Sequence, residues 1–196
     1  AVSVGVHAVN VSPIQLGDTV VVVGAGMIGL LTLQAAKAAG ATRVIAVDIN
    51  DKRLSVAAEL GATDTLRSDQ CDVPQAIREL TGGRGADVAL EVVGATATIK
   101  IAIESVRKGG HVTLVGNVSP TIELPLQSVV TREIRLQGTC GCNGEYPQCI
   151  ELMRSGAINV APLITAQITL QDGPQWFERL HAGDPDQMKV VVRPQR

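Results

Sequence analysis

Aromatic side chains are nearly absent: one Trp, one Tyr and one Phe in 196 residues. Without stacking platforms, base recognition of single-stranded nucleic acid is excluded. An excess of basic charge is also missing. Seventeen Lys and Arg stand against nineteen Asp and Glu, a formal charge of −2, which leaves no stripe for a phosphate backbone or an anionic membrane. The four cysteines, Cys71, Cys140, Cys142 and Cys149, are too sparse for a disulfide-stapled secreted domain, so a reducing, cytoplasmic setting is expected. Residues 1–7 have neither the charge nor the cleavage site of a leader, and Ala1 in place of Met suggests a processed chain or a fragment. The long uncharged run between Asp18 and Lys37 contains three glycines and divides into a strand-like and a helix-like half. It is therefore not expected to span a membrane. What is plentiful is small and aliphatic. Hydrophobic residues make up 45% and charged ones 18%, the balance of a globular chain that hides roughly 70% of its extended surface on folding.

The run Thr19–Val23 is β-branched and apolar without alternation, as in a parallel strand buried on both faces. A glycine turn leads into Met27–Ala39, apolar around most of a helical wheel, with Gly40 placed to end it. Strand follows at 43–47 up to Asp48, then helix at 51–60, a weak strand near 63–66, helix at 72–80, strand at 87–92, helix at 95–107 closed by Gly109, and strand at 111–115. This alternation predicts an α/β fold: a Rossmann, doubly wound parallel sheet of about six strands with helices on both faces. From Val118 the pattern changes. Pro120 and Pro125 interrupt the chain, and 133–138 alternates like an edge strand. A helix around Cys149–Met153, a strand near 163–170, a short helix at 176–180 and a last strand at 189–192 form a short α+β C-terminal segment. The expected division is 1–142, with a lead-in of 1–17, and 143–196.

Gly24-Ala25-Gly26-Met27-Ile28-Gly29 has the form G-x-G-x-x-G and lies between a buried strand and a helix. Gly24 permits the tight turn, Gly26 lets backbone approach a pyrophosphate, and Gly29 lets the helix pack closely on the strand. The amides of Met27 and Ile28 become donors at a positive helix end. Asp48 ends the second strand, nineteen residues beyond Gly29, where a carboxylate accepts from ribose hydroxyls and repels a 2′-phosphate. The next residue is Ile49 rather than Arg, so NAD is expected over NADP. A methyltransferase-like domain, with less need of the third glycine, and a flavin protein share parts of this pattern.

These residues, extended to Gly17–Gly29, Val47–Asn50, Glu59–Ala62, Gly85–Gly94, Gly109–Gly116 and Lys189–Pro194, resemble the zinc-type medium-chain alcohol and polyol dehydrogenases, in the sorbitol, threonine and galactitol-phosphate branch. The resemblance implies an oxidoreductase with NAD lying across the strand ends. Arg53 would sit near the adenosine ribose and Val93 beside the cofactor. Val115, Gly116 and Asn117 would reach the nicotinamide, with Gly138–Cys140, including Thr139, facing the carboxamide. It also implies pairing of two copies through the edge strand 133–139, and a catalytic zinc held by a separate N-terminal domain, not by this chain. On that reading the chain alone is an inactive NAD-binding portion of an enzyme acting on a small alcohol or polyol. The alternative is a stand-alone NAD-binding sensor or dimerisation module. The resemblance makes residues 1–10 a helix, whereas their Val2, Val4, Val6 alternation reads as a strand.

Three smaller features complete the reading. Cys140-Gly141-Cys142 with Cys149 falls short of zinc-ligand spacing and is expected to be ordinary thiols. His111 is expected to meet backbone or water at a strand end. Glu91, within a buried strand, needs a partner and is expected to be tied by structural hydrogen bonds.

Overall fold

The computed structural model describes residues 1–184 and 186–194. Backbone contacts divide the chain into two units, Ala1–Ile158 and a second from Asn159 onward. The expected boundary near residue 142 would separate helix α7 (Tyr146–Arg154) from helix α1 (Val2–Asn10). In the structure these helices touch within the first unit, joined by the 2.6 Å contact of His7 Nδ1 with Glu145 Oε1.

The first unit contains strands β1 (Thr19–Val23), β2 (Arg43–Asp48), β3 (Asp64–Arg67), β4 (Ala86–Glu91), β5 (Val106–Leu114) and β6 (Arg135–Gly138). Helices α2 (Met27–Ala38), α3 (Asp51–Glu59), α4 (Val73–Leu80), α5 (Thr96–Ser105) and α6 (Leu126–Thr131) lie between them. All six strands pair in parallel in the order β3-β2-β1-β4-β5-β6. This is the dinucleotide-binding order, whose reversal between β1 and β4 opens a crevice at the carboxyl ends of the strands. The valines of β1 show why the run reads as continuously apolar. Val21 and Val23 join a cluster with Ile77 of α4 and Ile99 and Ile103 of α5. Val22 instead faces α2, its Cγ1 3.7 Å from where a Cβ on Gly29 would lie. Each such side chain, buried to 1% or less, contributes about 1.5–3 kcal/mol.

Residues 1–10 resolve their conflict in favour of helix. α1 lies on α2, and a Cβ on Gly5 would stand 2.9 Å from Thr32 N, so the glycine permits the close approach. Two expectations shift. β5 begins at Val106, not near 111, because Val106 already pairs with Ala86 and an irregularity then restores the register at Val88 and His111. β6 begins at Arg135 because Glu133 takes a left-handed φ of 54°. The six-residue α6 after Pro125 was not expected: it is too short to show a period, and proline is tolerated ahead of a helix. The second unit pairs β7 (Ile164–Thr169) with β8 (Lys189–Arg193) in parallel, with α8 (Gly173–His181) between them. Among the described residues, no helix is long and apolar enough to cross a membrane.

Candidate functional site

The β1–α2 turn has the geometry expected of its glycines, each for a different reason. Gly24 has φ +102°, and its N–H donates to Val47 O at 2.8 Å, tying the turn to β2. A Cβ on Gly29 would lie 1.8 Å from Gly24 O, so helix and turn touch there as backbone on backbone. A Cβ on Gly26 would meet nothing within 4 Å. Packing does not require glycine at that position. The open space lies at the amino end of α2, where Gly26 accepts the first helical bond from Leu30 N–H at 2.9 Å. The amides of Met27 and Ile28 point from this helix end with no partner among the described residues.

Asp48 is buried at the end of β2 and holds the loop as well as lining the cleft. Its Oδ2 accepts from Ala25 N–H at 2.7 Å and its Oδ1 from Asn50 N–H at 2.9 Å. The carboxylate therefore fixes the glycine turn and the entry to α3 at once, and each oxygen keeps lone-pair capacity for a further donor. Asn50 caps α3 by accepting from Arg53 N–H at 3.2 Å. Arg53 Nη1 lies 4.0 Å from Asp48 Oδ2, while Arg53 Nε is buried without a hydrogen-bond partner.

Val23, Gly24, Val47, Asp48, Ile49, Arg53, Ser68, Val93 and Thr98 enclose a cleft of about 180 Å³. That is less than the 300–1,000 Å³ of a whole-ligand pocket, and suits one end of an extended ligand. Of the residues expected at the site, Gly24, Asp48, Ile49, Arg53 and Val93 share this cleft, and Gly26, Met27, Ile28 and Gly29 stand at the helix end. Ile49, 64% exposed, forms the rim.

Val115, Gly116, Asn117 and Thr139 lie outside the cleft lining, after β5 and β6 on the same edge of the sheet. Val115 and Gly116 N–H both donate to Glu91 O, and Thr139 N–H donates to Leu114 O. Gly94 and Gly116 press together: a Cβ on Gly116 would fall 2.1 Å from Gly94 N. Beneath them the buried Glu91 carboxylate accepts from Val93 N–H at 2.9 Å and from Gly94 N–H at 2.8 Å, the structural bonding expected of it. Ser68 and Thr98 were missed. Ser68 was recoverable, since it directly follows the third strand and every strand of such a sheet ends at the crevice. Thr98 lies inside a helix and gives no signal.

The residues present fit an adenosine diphosphate. The open Cβ space at Gly26 leaves room for a pyrophosphate on two free amides, and the orphaned Arg53 Nε gains an acceptor from a ribose hydroxyl or phosphate oxygen. A metal finds no comparable set, for no group of three His, Cys, Asp or Glu that could hold one occurs among the described residues. Cys140 and Cys142 are exposed, Cys149 is buried, and all four cysteines are free thiols. Of the two partners expected for His111, backbone is not one: both ring nitrogens are buried without a protein partner among the described residues.

The family model for zinc-binding dehydrogenases matches residues 28–155. The chain is 35% identical to the sorbitol dehydrogenase of Bacillus subtilis (strain 168), over 99% of this chain and 55% of that protein. The solved structure of 2R,3R-butanediol dehydrogenase from Bacillus subtilis matches with a TM-score of 0.91 at 33% identity, over 99% of this chain and 56% of that one. A structure described as a zinc-binding dehydrogenase from Sinorhizobium meliloti 1021 bound to NADP matches with a TM-score of 0.90 at 31% identity, over 98% and 57%. The chain spans about half the length of the curated relatives it matches.

Proposed function

From the premise that this chain belongs to the zinc-binding dehydrogenase family, we propose that it is the NAD-binding portion of an alcohol or polyol dehydrogenase and positions NAD(H) for hydride transfer to or from a secondary alcohol. The observation that carries this reading is the cleft at the β1–α2 turn, with two free helix-end amides at one side and Asp48 beside an unpaired Arg53 Nε at the other. The amides of Met27 and Ile28 take the pyrophosphate, where the helix dipole favours negative charge. Asp48 accepts from the adenosine ribose, and its charge disfavours a 2′-phosphate, so NAD is preferred over NADP. Ile49 and Val93 cover apolar faces of the nucleotide. Val115, Gly116, Asn117 and Thr139, on the β5 and β6 ends of the same edge, are assigned to the nicotinamide side. When bound, the nicotinamide ring supplies the hydride acceptor or donor. The chain's part is to orient that ring and to close the turn beneath it through Glu91.

The β6 edge, at the end of the sheet, is the surface through which two copies pair. The free thiols fit a reducing, cytoplasmic setting. On this reading the 196 residues alone bind cofactor without oxidising polyols. The alternative is an NAD-binding sensor or dimerisation module that uses the same cleft. Calorimetric titration with NADH, NADPH and S-adenosylmethionine tests the cofactor assignment: NADH is expected to bind tightest, and equal affinity for all three would remove it. Incubation of the chain with NAD, zinc and sorbitol is expected to give no NADH above background. Zinc-dependent turnover there would overturn the inactivity of the isolated chain.

A further inference from the structure

At the amino-terminal edge of the sheet, opposite the strand ends that form the nucleotide cleft, a second cavity of about 160 Å³ is lined by His111 and Arg107 of β5, Arg135 of β6, Asp87 of β4 and the loop residues Gln15 and Asp18. His111 and Arg135 are register partners on adjacent parallel strands, so both side chains stand on one face. The carboxylates are already engaged. Asp87 accepts from Arg107 Nε at 2.8 Å, from Arg84 Nη2 at 2.7 Å and from Thr19 N–H at 3.0 Å. Asp18 accepts from Gln15 N–H at 2.9 Å. Arg135 has no carboxylate or hydrogen-bond partner among the described residues, and neither does either buried ring nitrogen of His111. Arg107 and Arg135 line the cavity with Asp87 and Asp18; Asp87 is taken up by Arg107 and Arg84, and Arg135, in no ion pair among the described residues, stands beside a buried, unmet imidazole. A cation is disfavoured there by Arg107 and Arg135.

We propose that this cavity binds a small oxyanion held between the Arg135 guanidinium and the His111 ring. A neutral imidazole offers one donor and one acceptor, whereas its protonated form offers two donors. An anion alongside Arg135 therefore recruits the protonated ring, which donates the N–H on that side to it. Burial, and then the Arg135 charge, hold His111 below the ordinary histidine range. A bound anion opposes both effects, so occupancy and protonation reinforce one another. The other charged groups lining the cavity are Arg107, Asp18 and Asp87, the last held below the usual carboxylate range by its arginine bonds. The affinity accordingly rises as the pH falls.

The test follows the His111 ring signals of the full chain by NMR from about pH 5 to 8, with sodium sulfate, sodium acetate, and sodium chloride at matched ionic strength. Sulfate keeps its charge over this range, so the pH dependence reports the ring. Sulfate is expected to raise the His111 midpoint by about one pH unit, saturably, as an adjacent opposite charge does, while His181 stays in place. An equal or larger rise with acetate supports the same site and identifies its source as a carboxylate. Arg135→Gln, at an exposed and unpaired position that the fold does not need, is expected to abolish the rise. Sulfate bound only at the amino end of α2 would leave the His111 midpoint unchanged. A midpoint that moves no more in sulfate or acetate than in chloride, or that moves equally in Arg135→Gln, would overturn the proposal and leave the cavity to water.

Discussion

Two alanine substitutions in the same glycine turn, Gly26→Ala and Gly29→Ala, separate ligand space from protein packing. At Gly26, φ is −70° and ψ is −175°, a conformation open to alanine, and the new Cβ meets nothing within 4 Å. Two small effects oppose each other on stability. Alanine is a poorer N-cap than glycine, at about 0.5–1 kcal/mol, and it lowers unfolded-state entropy by a comparable amount. The net change is expected to stay within about 1 kcal/mol. The methyl group does occupy the space over the helix-end amides, however. Loss of one charge-assisted hydrogen bond to a diphosphate costs about 1.5–3 kcal/mol, a weakening of NADH binding of roughly 10- to 150-fold. At Gly29 the added Cβ would lie 1.8 Å from Gly24 O, a backbone clash that no rotamer relieves. Here about 3 kcal/mol or more of stability is expected to be lost. Denaturant unfolding followed by circular dichroism reads the first quantity, and calorimetric NADH titration the second. If Gly26→Ala bound NADH as the parent does, the helix end would not be the diphosphate site. If Gly29→Ala left the unfolding midpoint unchanged, the close contact of α2 with the turn would be wrong.

Asp48→Ala removes the acceptor for Ala25 and Asn50 N–H. It is expected to destabilise the fold by about 1–3 kcal/mol and to narrow the NADH-to-NADPH preference; a preference unchanged from the parent in titrations of both cofactors would refute the role of the carboxylate. Asp87 titrates below the usual carboxylate range: burial pushes it up, but the Arg107 hydrogen bond, the Thr19 amide and the Arg84 and Arg107 charges outweigh that effect. Its folded-state value being depressed, its stabilising contribution is complete above the ordinary value of about 4 and is lost as the pH falls through the lower folded value. Asp87→Asn should therefore flatten the acid limb of stability below about pH 4 in denaturant titrations, and an unchanged limb would argue against the paired carboxylate.

How much of this was legible depends on range along the chain. The glycine turn and Asp48 were readable because a helix entry is a local affair: the strand, the positive φ at Gly24 and the α2 amino end lie within a few residues of one another. Asp48 could be placed at a strand end, but its bond to Ala25 N–H could not be read, since 23 positions separate them. Thr98 in the cleft, and the seating of Gly94 against Gly116 across two loops, are equally invisible in a linear pattern.

The amino-acid order alone determined the β-α alternation, the buried parallel strands and the phosphate-type turn, because hydrophobic period and backbone freedom act between near neighbours. Tertiary contact decided that residues 2–10 form a helix on α2, that β5 starts at Val106, and that the strands run 3-2-1-4-5-6 so that Gly24, Asp48 and Val93 converge. It also decided that His111 and Arg135 stand side by side over a cavity at the far edge. Burial area, close backbone approach and unmet polar groups depend on what the rest of the chain brings near, and no local pattern encodes that.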